Sequence, residues 1–300
     1  MTSGMASEMQ DRLRLFRDEA IARGVPADDV ERWTNLARPC ATLTQGEGEG
    51  EGEGEGGGGP VVGRFGGPLL LPADTPDPEH PFVASIDLAA LPADATDLPL
   101  PPDGHLLLFA FPETADDHET MGSAVYVPVG TAVVERDSHA WNPHDFDDYE
   151  AMFQEFPQGP LRATAEVSLP YHHAVEISGQ PGSGPLPGHP RSEELVAAWD
   201  HTRGAIAPEG PLQIGGYADE EVVYTDPVAR AVFRVLRAAE ADRWDGPVSD
   251  DVADWVLLAD WHAGMDVQGW EGSSVHWVIQ RTDLAARRFD RTFTEVFWNP

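Results

Sequence analysis

Histidine and aspartate side chains gather in the segment HAWNPHDFDD, residues 139–148. Imidazole nitrogens and carboxylate oxygens bind divalent metals such as zinc, so His139, His144 and Asp145 are a candidate metal site. Their spacing matches no metal motif, however, and Asp147 and Asp148 lie where a helix is predicted to begin, a position at which the helix dipole stabilises acids. We therefore expect no metal and no other cofactor, and keep this site as the alternative.

A second group, Asp260, His262 and Asp266 in DWHAGMD, has the residue types of an acid/base site. Histidine exchanges protons near neutral pH, and a carboxylate can orient it. Structural hydrogen bonding explains the same residues, because no third partner in a recognisable pocket accompanies them. We therefore expect no catalytic residue, with acid/base catalysis by this group as the alternative.

Nucleophilic catalysis has no support in the sequence. No serine lies in a Gly-x-Ser-x-Gly segment, and Cys40, the only cysteine, has no histidine near it in the chain. A single cysteine also excludes an intrachain disulfide, which makes the cytoplasm the expected compartment. No uncharged apolar run approaches the roughly 20 residues that span a bilayer, so we expect no membrane association.

The charge of the chain is strongly negative. Its 19 basic residues, all arginines, face 52 acidic residues, and the formal net charge is −33 at pH 7. Such a field repels phosphate backbones, which argues against nucleic acid, and it attracts a basic partner. We expect a basic protein as partner, although solubility alone explains the same charge. The oligomeric state is not indicated.

Two glycine pairs lie at the ends of elements that must position the candidate site residues. Gly66 and Gly67 occur in GRFGGPLLLP, and Gly215 and Gly216 occur in LQIGGY. Neither pair has the spacing of a dinucleotide-binding or phosphate-binding loop. We predict that both are structural turns in which glycine permits positive φ.

Short apolar runs separated by Pro, Gly and Asp predict strands. The runs are residues 82–88, 104–111, 124–129, 131–136, 163–169, 212–217, 254–261, 273–280 and 293–298. Helices are predicted over residues 142–156, over 192–200 and after Asp226. This mixture predicts an α+β fold with mostly antiparallel sheets and a few helices.

Composition divides the chain into three parts. Residues 1–45 are predicted to be a helical N-terminal segment, 46–59 a disordered Gly/Glu tether, and 60–300 the α+β domain. Within that domain a Gly-Gly turn followed by two strands occurs twice. The repeat indicates an internal duplication with halves 60–178 and 192–300, although two turns and four strands in this order also arise by chance.

Five segments resemble, in order, those of the YwqG-like family of bacterial proteins of unknown function. They are GRFGGPLLLPADTP, ASIDLAALP, LPLPPDGHLLLFAF, LQIGGYADE and HWVIQRTDLAARRFDRT. Ser85 and Ala218 depart from the usual glutamine and proline. The resemblance implies an α+β fold, no established activity and, from the genomic neighbourhood of such proteins, a toxin-neutralising role. We therefore expect a non-catalytic, macromolecule-binding protein rather than an enzyme.

Overall fold

A computed structural model describes residues 9, 11–46, 59–113, 119–136, 153–176, 183–218 and 226–298. The helices are α1 (Arg14–Ala22), α2 (Ala27–Thr34), α3 (Ser192–Ile206), α4 (Pro227–Glu240), α5 (Ala263–Asp266) and α6 (Arg281–Ala285). The strands are β1 (Arg38–Gln45), β2 (Val61–Phe65), β3 (Leu69–Pro72), β4 (Phe82–Asp87), β5 (His105–Ala110), β6 (Gly122–Val127), β7 (Val133–Arg136), β8 (Gly159–Ser168), β9 (Ala174–Glu176), β10 (Ser183–Pro185), β11 (Leu212–Gly215), β12 (Trp255–Trp261), β13 (Ser273–Gln280) and β14 (Phe293–Trp298). Within these ranges no helix is both long enough and apolar enough to span a membrane.

Ten strands form one sheet in the order β14-β13-β12-β11-β1-β8-β2-β4-β5-β6. Neighbouring strands are antiparallel, and β3–β7 and β9–β10 form two small antiparallel pairs. The predicted α+β class with mostly antiparallel sheet is therefore confirmed. The two ends of the sheet meet, because the Met121 N–H donates to the Thr294 carbonyl at 3.2 Å and Trp277 Nε1 donates to the Phe109 carbonyl at 3.1 Å.

The predicted repeat corresponds to the two sides of this sheet. Strands β2, β4, β5 and β6 follow outward from β8 on one side, and β11, β12, β13 and β14 follow outward from β1 on the other. Each set begins with a strand at whose end a glycine pair lies, Gly66–Gly67 after β2 and Gly215–Gly216 at the end of β11. The two sides of the sheet therefore share one strand order around the central pair β1–β8, and the internal duplication stays a prediction.

Residues 38–45 differ from the sequence prediction. We expected them in the helical N-terminal segment, but they form β1 at the centre of the sheet, where they pair with β8 from Arg38↔Ser168 to Gln45↔Leu161 and also with β11. The segment RPCATLTQ lacks the large β-branched and aromatic side chains that mark a strand, and its buried positions hold small residues such as Ala41. In the part of that segment that the structure describes, the helical residues all precede β1.

Two predicted elements lie mostly outside the described residues. Residues 47–58, most of the predicted tether, lie outside the described residues, as does most of the predicted helix 142–156. From that helix Phe153 and Phe156 are described; their rings stack at 5.2 Å, and Phe156 contacts Trp261 at 5.3 Å.

Both glycine pairs adopt positive φ. The angles are 56° at Gly66 and 82° at Gly67, and 73° at Gly215 and 75° at Gly216. L-residues with a side chain rarely adopt this region. The chain can therefore reverse sharply at the end of β2 and of β11.

One face of the sheet encloses the main apolar core, which includes Leu108, Ile214, Trp261 and Trp277. The opposite face is covered in three places. The β3–β7 pair packs on β4, β5 and β6, helices α1, α2 and α3 pack together over the end of β8, and α4 packs on β12, β13 and β14. Strands β1 and β11 lie between the last two covers, and a cleft opens there.

Candidate functional site

The cleft has a volume of about 270 Å³. Side chains alternate between the two faces of a strand, so the residues of the central strands that face away from the core form its floor. The floor residues are Thr42 of β1, Ser168 of β8, Gln213 of β11 and Ser274 of β13. The walls include Trp199 and Arg203 of α3, Tyr217, His262, and Met265 of α5.

Gln213 is held in one orientation by the turn that follows it. Its Nε2 donates to the carbonyls of Gly215 at 2.8 Å and Tyr217 at 2.9 Å. Both amide hydrogens are therefore used, and Oε1 remains as a pure acceptor. The turn itself requires glycine, because a Cβ on Gly216 would lie 2.8 Å from Cβ of Cys40 and 3.0 Å from Cβ of Ser168.

Tyr217 is a fixed wall of the cleft. Its backbone N–H donates to Ser168 Oγ at 3.0 Å, its hydroxyl donates to the Leu36 carbonyl at 2.8 Å, and the guanidinium of Arg38 lies 4.5 Å from its ring centroid. Burial raises the pKa of Tyr217 to about 12, against a smaller lowering effect of Arg38. The phenol therefore stays protonated near neutral pH and does not serve as a base there.

Two hydroxyls on the floor have unused hydrogen-bonding capacity. Thr42 is 7% exposed and Ser274 is 8% exposed, and among the described residues neither side chain has a hydrogen-bond partner. Ser168 accepts from Tyr217, which leaves its own hydroxyl hydrogen available. None of these hydroxyl oxygens is among the fully buried, unsatisfied atoms of the described residues, so they are accessible to a ligand or water in the cleft.

Charged side chains lie at the mouth of the cleft. Arg203 Nη2 is 3.1 Å from Glu209 Oε1, and Arg203 Nε is 3.7 Å from Asp200 Oδ1. The guanidinium also stacks on Tyr171 at 4.6 Å, while the Tyr171 hydroxyl donates to Asp200 at 2.6 Å. Glu209 keeps 56% of its side chain exposed. The mouth thus combines one guanidinium with two carboxylates.

A polar row continues from Gln213 beneath α4. Gln213 is opposite Asp260, Asp260 is opposite His276, and His276 is opposite Glu295. Nδ1 of His276 lies 3.0 Å from Oδ1 of Asp260. Burial raises the pKa of Glu295, and the opposing effects of Arg234 at 2.8 Å and Arg230 at 3.5 Å offset part of that rise.

The other half of the sheet shows that this polarity is not needed for pairing. Arg64 precedes its glycine pair as Gln213 precedes the second pair, and the row opposite it runs through Ser85, Leu107 and Val125. Leu107 and Val125 pack in an apolar cluster under β3 and β7. The row Asp260–His276–Glu295 is therefore a special feature of the second half. Its three members have no exposed surface, so they do not contact a ligand in the cleft directly.

Of the residues proposed for acid/base chemistry, Asp260 is directed to a different partner from His262 and Asp266. Asp260 pairs with His276, whereas His262 lines the cleft. Asp266 Oδ2 accepts a hydrogen bond from Trp261 Nε1 at 3.2 Å. Burial raises the pKa of Asp266, and the Trp261 hydrogen bond and the charge of His262 oppose that rise.

The candidate metal ligands His139, His144 and Asp145 lie outside the described residues. In the part of the chain that is described, no group of three or more His, Cys, Asp or Glu residues could hold a metal ion. Sequence reasoning missed the floor residues Thr42 and Ser274. The glycine pair in LQIGGY was the available signal for Gln213 and Tyr217, which flank it.

Fold and cleft together define an α+β protein with a ten-stranded, mostly antiparallel sheet and a polar-floored cleft between two helical covers. The chain belongs to the family described as "Domain of unknown function (DUF1963)", whose model matches residues 63–296. The match includes both half-sheets but not β1, which supplies Thr42 to the cleft. A comparison with curated proteins finds no match.

Proposed function

We propose that this chain is a non-catalytic, YwqG-like binding protein whose partner is a basic protein. The net charge of −33 carries the proposal. This figure already counts all the arginines, many of which neutralise an acid in an ion pair, as Arg12 does with Glu166 and Arg281 does with Asp97. A surface of this sign accelerates encounter with a cationic partner.

The chemistry of the cleft supports binding rather than catalysis. Tyr217 is kept protonated by its raised pKa, and Asp260 and His276 are fully buried. General acid/base catalysis needs a titratable group within hydrogen-bond reach of the reacting atoms. These three groups do not meet that requirement in the cleft.

Toxin neutralisation is the specific form of this proposal. It follows from the resemblance to the YwqG-like family, and the acidic surface suits a basic toxin. An immunity-like protein needs a complementary surface and no reaction of its own, which fits a cleft without convergent catalytic groups.

The test is affinity capture with the full chain in the cytoplasmic extract of a bacterium, at about 0.1 M and about 1 M salt, where the Debye length falls from ~10 Å to ~3 Å. The captured protein is identified, purified and titrated against the chain at both salt concentrations. We expect a basic protein whose affinity falls with salt. An acidic partner whose affinity is independent of salt would refute the proposal.

The second candidate is an acid/base enzyme, and one observation favours it: His262 lines the cleft, and its charge affects Asp266. A turnover that is lost in His262→Ala while partner binding is retained would favour this candidate. The metal-dependent form, with His139, His144 and Asp145, would also require that chelation remove the turnover.

A further inference from the structure

We propose that the cleft receives the side chain of an arginine or lysine from the basic partner. This inference rests on the proposed function and adds to it the place and the chemistry of recognition. The occupant is a cation with an apolar stem, and each part of the cleft corresponds to one part of such a side chain.

The size of the cleft fits one side chain. Its volume of about 270 Å³ is below the roughly 300–1,000 Å³ of sites that hold drug-sized ligands. A single long side chain that enters from a bound protein surface fits within it.

The walls provide apolar surface for the stem. Ala207 and the exposed Pro208 line the cleft, and Met265 extends from α5 with 65% of its surface exposed. Arginine and lysine bury their methylene groups along surfaces of this kind while the charged head finds polar partners. Methionine adapts its shape to an entering chain.

The floor provides acceptors for the head group. Gln213 Oε1 is a pure acceptor because both amide hydrogens are bonded to the turn. Thr42 and Ser274 are more than nine-tenths buried as residues, and their hydroxyls can accept as well. Guanidinium and ammonium groups are donors only, so they match an acceptor-bearing floor.

The net charge beside the cleft favours the same occupant. Arg203 (+1) and Glu209 (−1) line the cleft, and Asp200 (−1) contacts Arg203 without lining it, so the three side chains carry a net charge of −1. A carboxylate or phosphate would find no donor on Gln213, and its donors would be limited to Arg203 and the floor hydroxyls. A cation gains from the exposed Glu209 carboxylate.

The experiment uses the full chain and two fluorescent peptides that differ at one residue, arginine or its neutral isostere citrulline. Fluorescence anisotropy at low salt gives each affinity. We expect the arginine peptide to bind at least about tenfold more tightly, as the loss of a charged hydrogen bond predicts. Equal binding of the two peptides would overturn the inference, because the cleft would then not select a cation.

Matched variants separate the cleft from the general surface charge. Glu209→Gln and Glu135→Gln change the net charge equally, but Glu135 lies on β7 and does not line the cleft. Thr42→Val is compared with Thr164→Val, its exposed neighbour on β8. We expect Glu209→Gln and Thr42→Val to weaken binding of the arginine peptide by about three- to tenfold and the two controls to leave it unchanged.

The outcomes distinguish this inference from the proposed function. Equal weakening by Glu209→Gln and Glu135→Gln would show attraction by the whole surface, so the basic partner would stand and the cleft inference would fail. A captured basic protein whose affinity is unaffected by Glu209→Gln and Thr42→Val would likewise overturn the cleft inference alone. If neither a basic protein nor the arginine peptide binds, both proposals fail.

Discussion

Nδ1 of His276 lies 3.0 Å from Oδ1 of Asp260, and both side chains are completely buried. The two residues face each other across β12 and β13. A buried carboxylate and imidazole stabilise each other as a pair, whereas removal of one leaves the other desolvated without this partner. We expect Asp260→Ala to lower the free energy of unfolding by about 2–4 kcal/mol in urea denaturation.

The double variant Asp260→Ala/His276→Ala tests whether the pair is responsible. Directly interacting residues show coupling energies of about 0.5–3 kcal/mol in a double-mutant cycle. The double variant should therefore lose less stability than the sum of the two single variants. Strict additivity would contradict a direct interaction.

Arg234 and Glu295 form a second buried pair, and Arg234 also donates to the Glu119 carbonyl at 3.1 Å. We expect Arg234→Met to destabilise the fold by about 3–5 kcal/mol, because the Glu295 carboxylate would remain buried without its closest cation. Calorimetry or urea denaturation measures the loss. Arg237→Met, an exposed position on the same helix, is the control.

Combining Arg234→Met with Glu295→Leu should recover most of that stability. Glu295 lies on β14 between Phe293 and Phe297, both buried, so an apolar residue there finds apolar neighbours. Replacing a whole buried ion pair by apolar groups is often neutral or stabilising. A double variant no more stable than Arg234→Met would contradict this account.

We predict that replacement by alanine has opposite effects on stability at Gly66 and at Gly204. Gly66 has a φ of 56°, and a Cβ there would collide with the Gln158 side chain, so Gly66→Ala should destabilise by more than about 1 kcal/mol. Gly204 lies in α3 with open space around its Cβ position, so Gly204→Ala should stabilise by about 0.4–1 kcal/mol. Thermal denaturation of both variants measures the two effects. A Gly66→Ala variant as stable as the wild type would refute the structural role of Gly66.

The raised pKa of Asp266 predicts a pH dependence. Burial lifts the pKa of the folded-state carboxyl above its usual value of 3.8, so the folded state holds this proton more tightly than the unfolded state. The stabilisation is complete below pH 3.8 and is lost as pH rises through the folded-state pKa. Asp266→Asn cannot ionise, so its stability relative to the wild type should increase over that rise.

Urea denaturation from acidic to neutral pH measures this difference. Asp245→Asn, at an exposed position, is the charge-matched control. The stability of each variant relative to the wild type is compared at every pH. If Asp266→Asn and Asp245→Asn show the same pH dependence, ionisation of Asp266 is not its cause.

The sequence could predict the strands that carry large apolar residues. It could not predict which residues face each other on neighbouring strands. Continuous runs such as WVLLADW and SSVHWVIQ were sufficient for β12 and β13. The opposition of Asp260 to His276 depends on register, which shifts between Leu257 and Ala259. A slip of one residue reverses every side chain, and no local pattern specifies this irregularity.

The sequence did not predict the cleft, for a related reason. Its floor comes from β1, β8, β11 and β13, which are distant in the chain, and β1 itself was not recognised because Leu43 is its one large apolar residue. Gln213 and Tyr217 stand next to a glycine pair that sequence reasoning did identify. Their hydrogen bonds to that turn follow only from its geometry.

Both flanks of the Gly/Glu stretch are fixed to β8. The Gly46 N–H donates to the Pro160 carbonyl at 3.1 Å, and the Ala163 N–H donates to the Pro60 carbonyl at 3.0 Å. The two anchor points are about 10 Å apart along one strand, and each doubling of the length of a connecting loop costs only about 0.6 kcal/mol. They lie at the opposite end of β8 from Ser168 and the cleft. A fluorescent protein or an affinity tag can therefore be spliced between Gly46 and Pro60, which gives a reporter that leaves the cleft open and both ends of the chain unmodified.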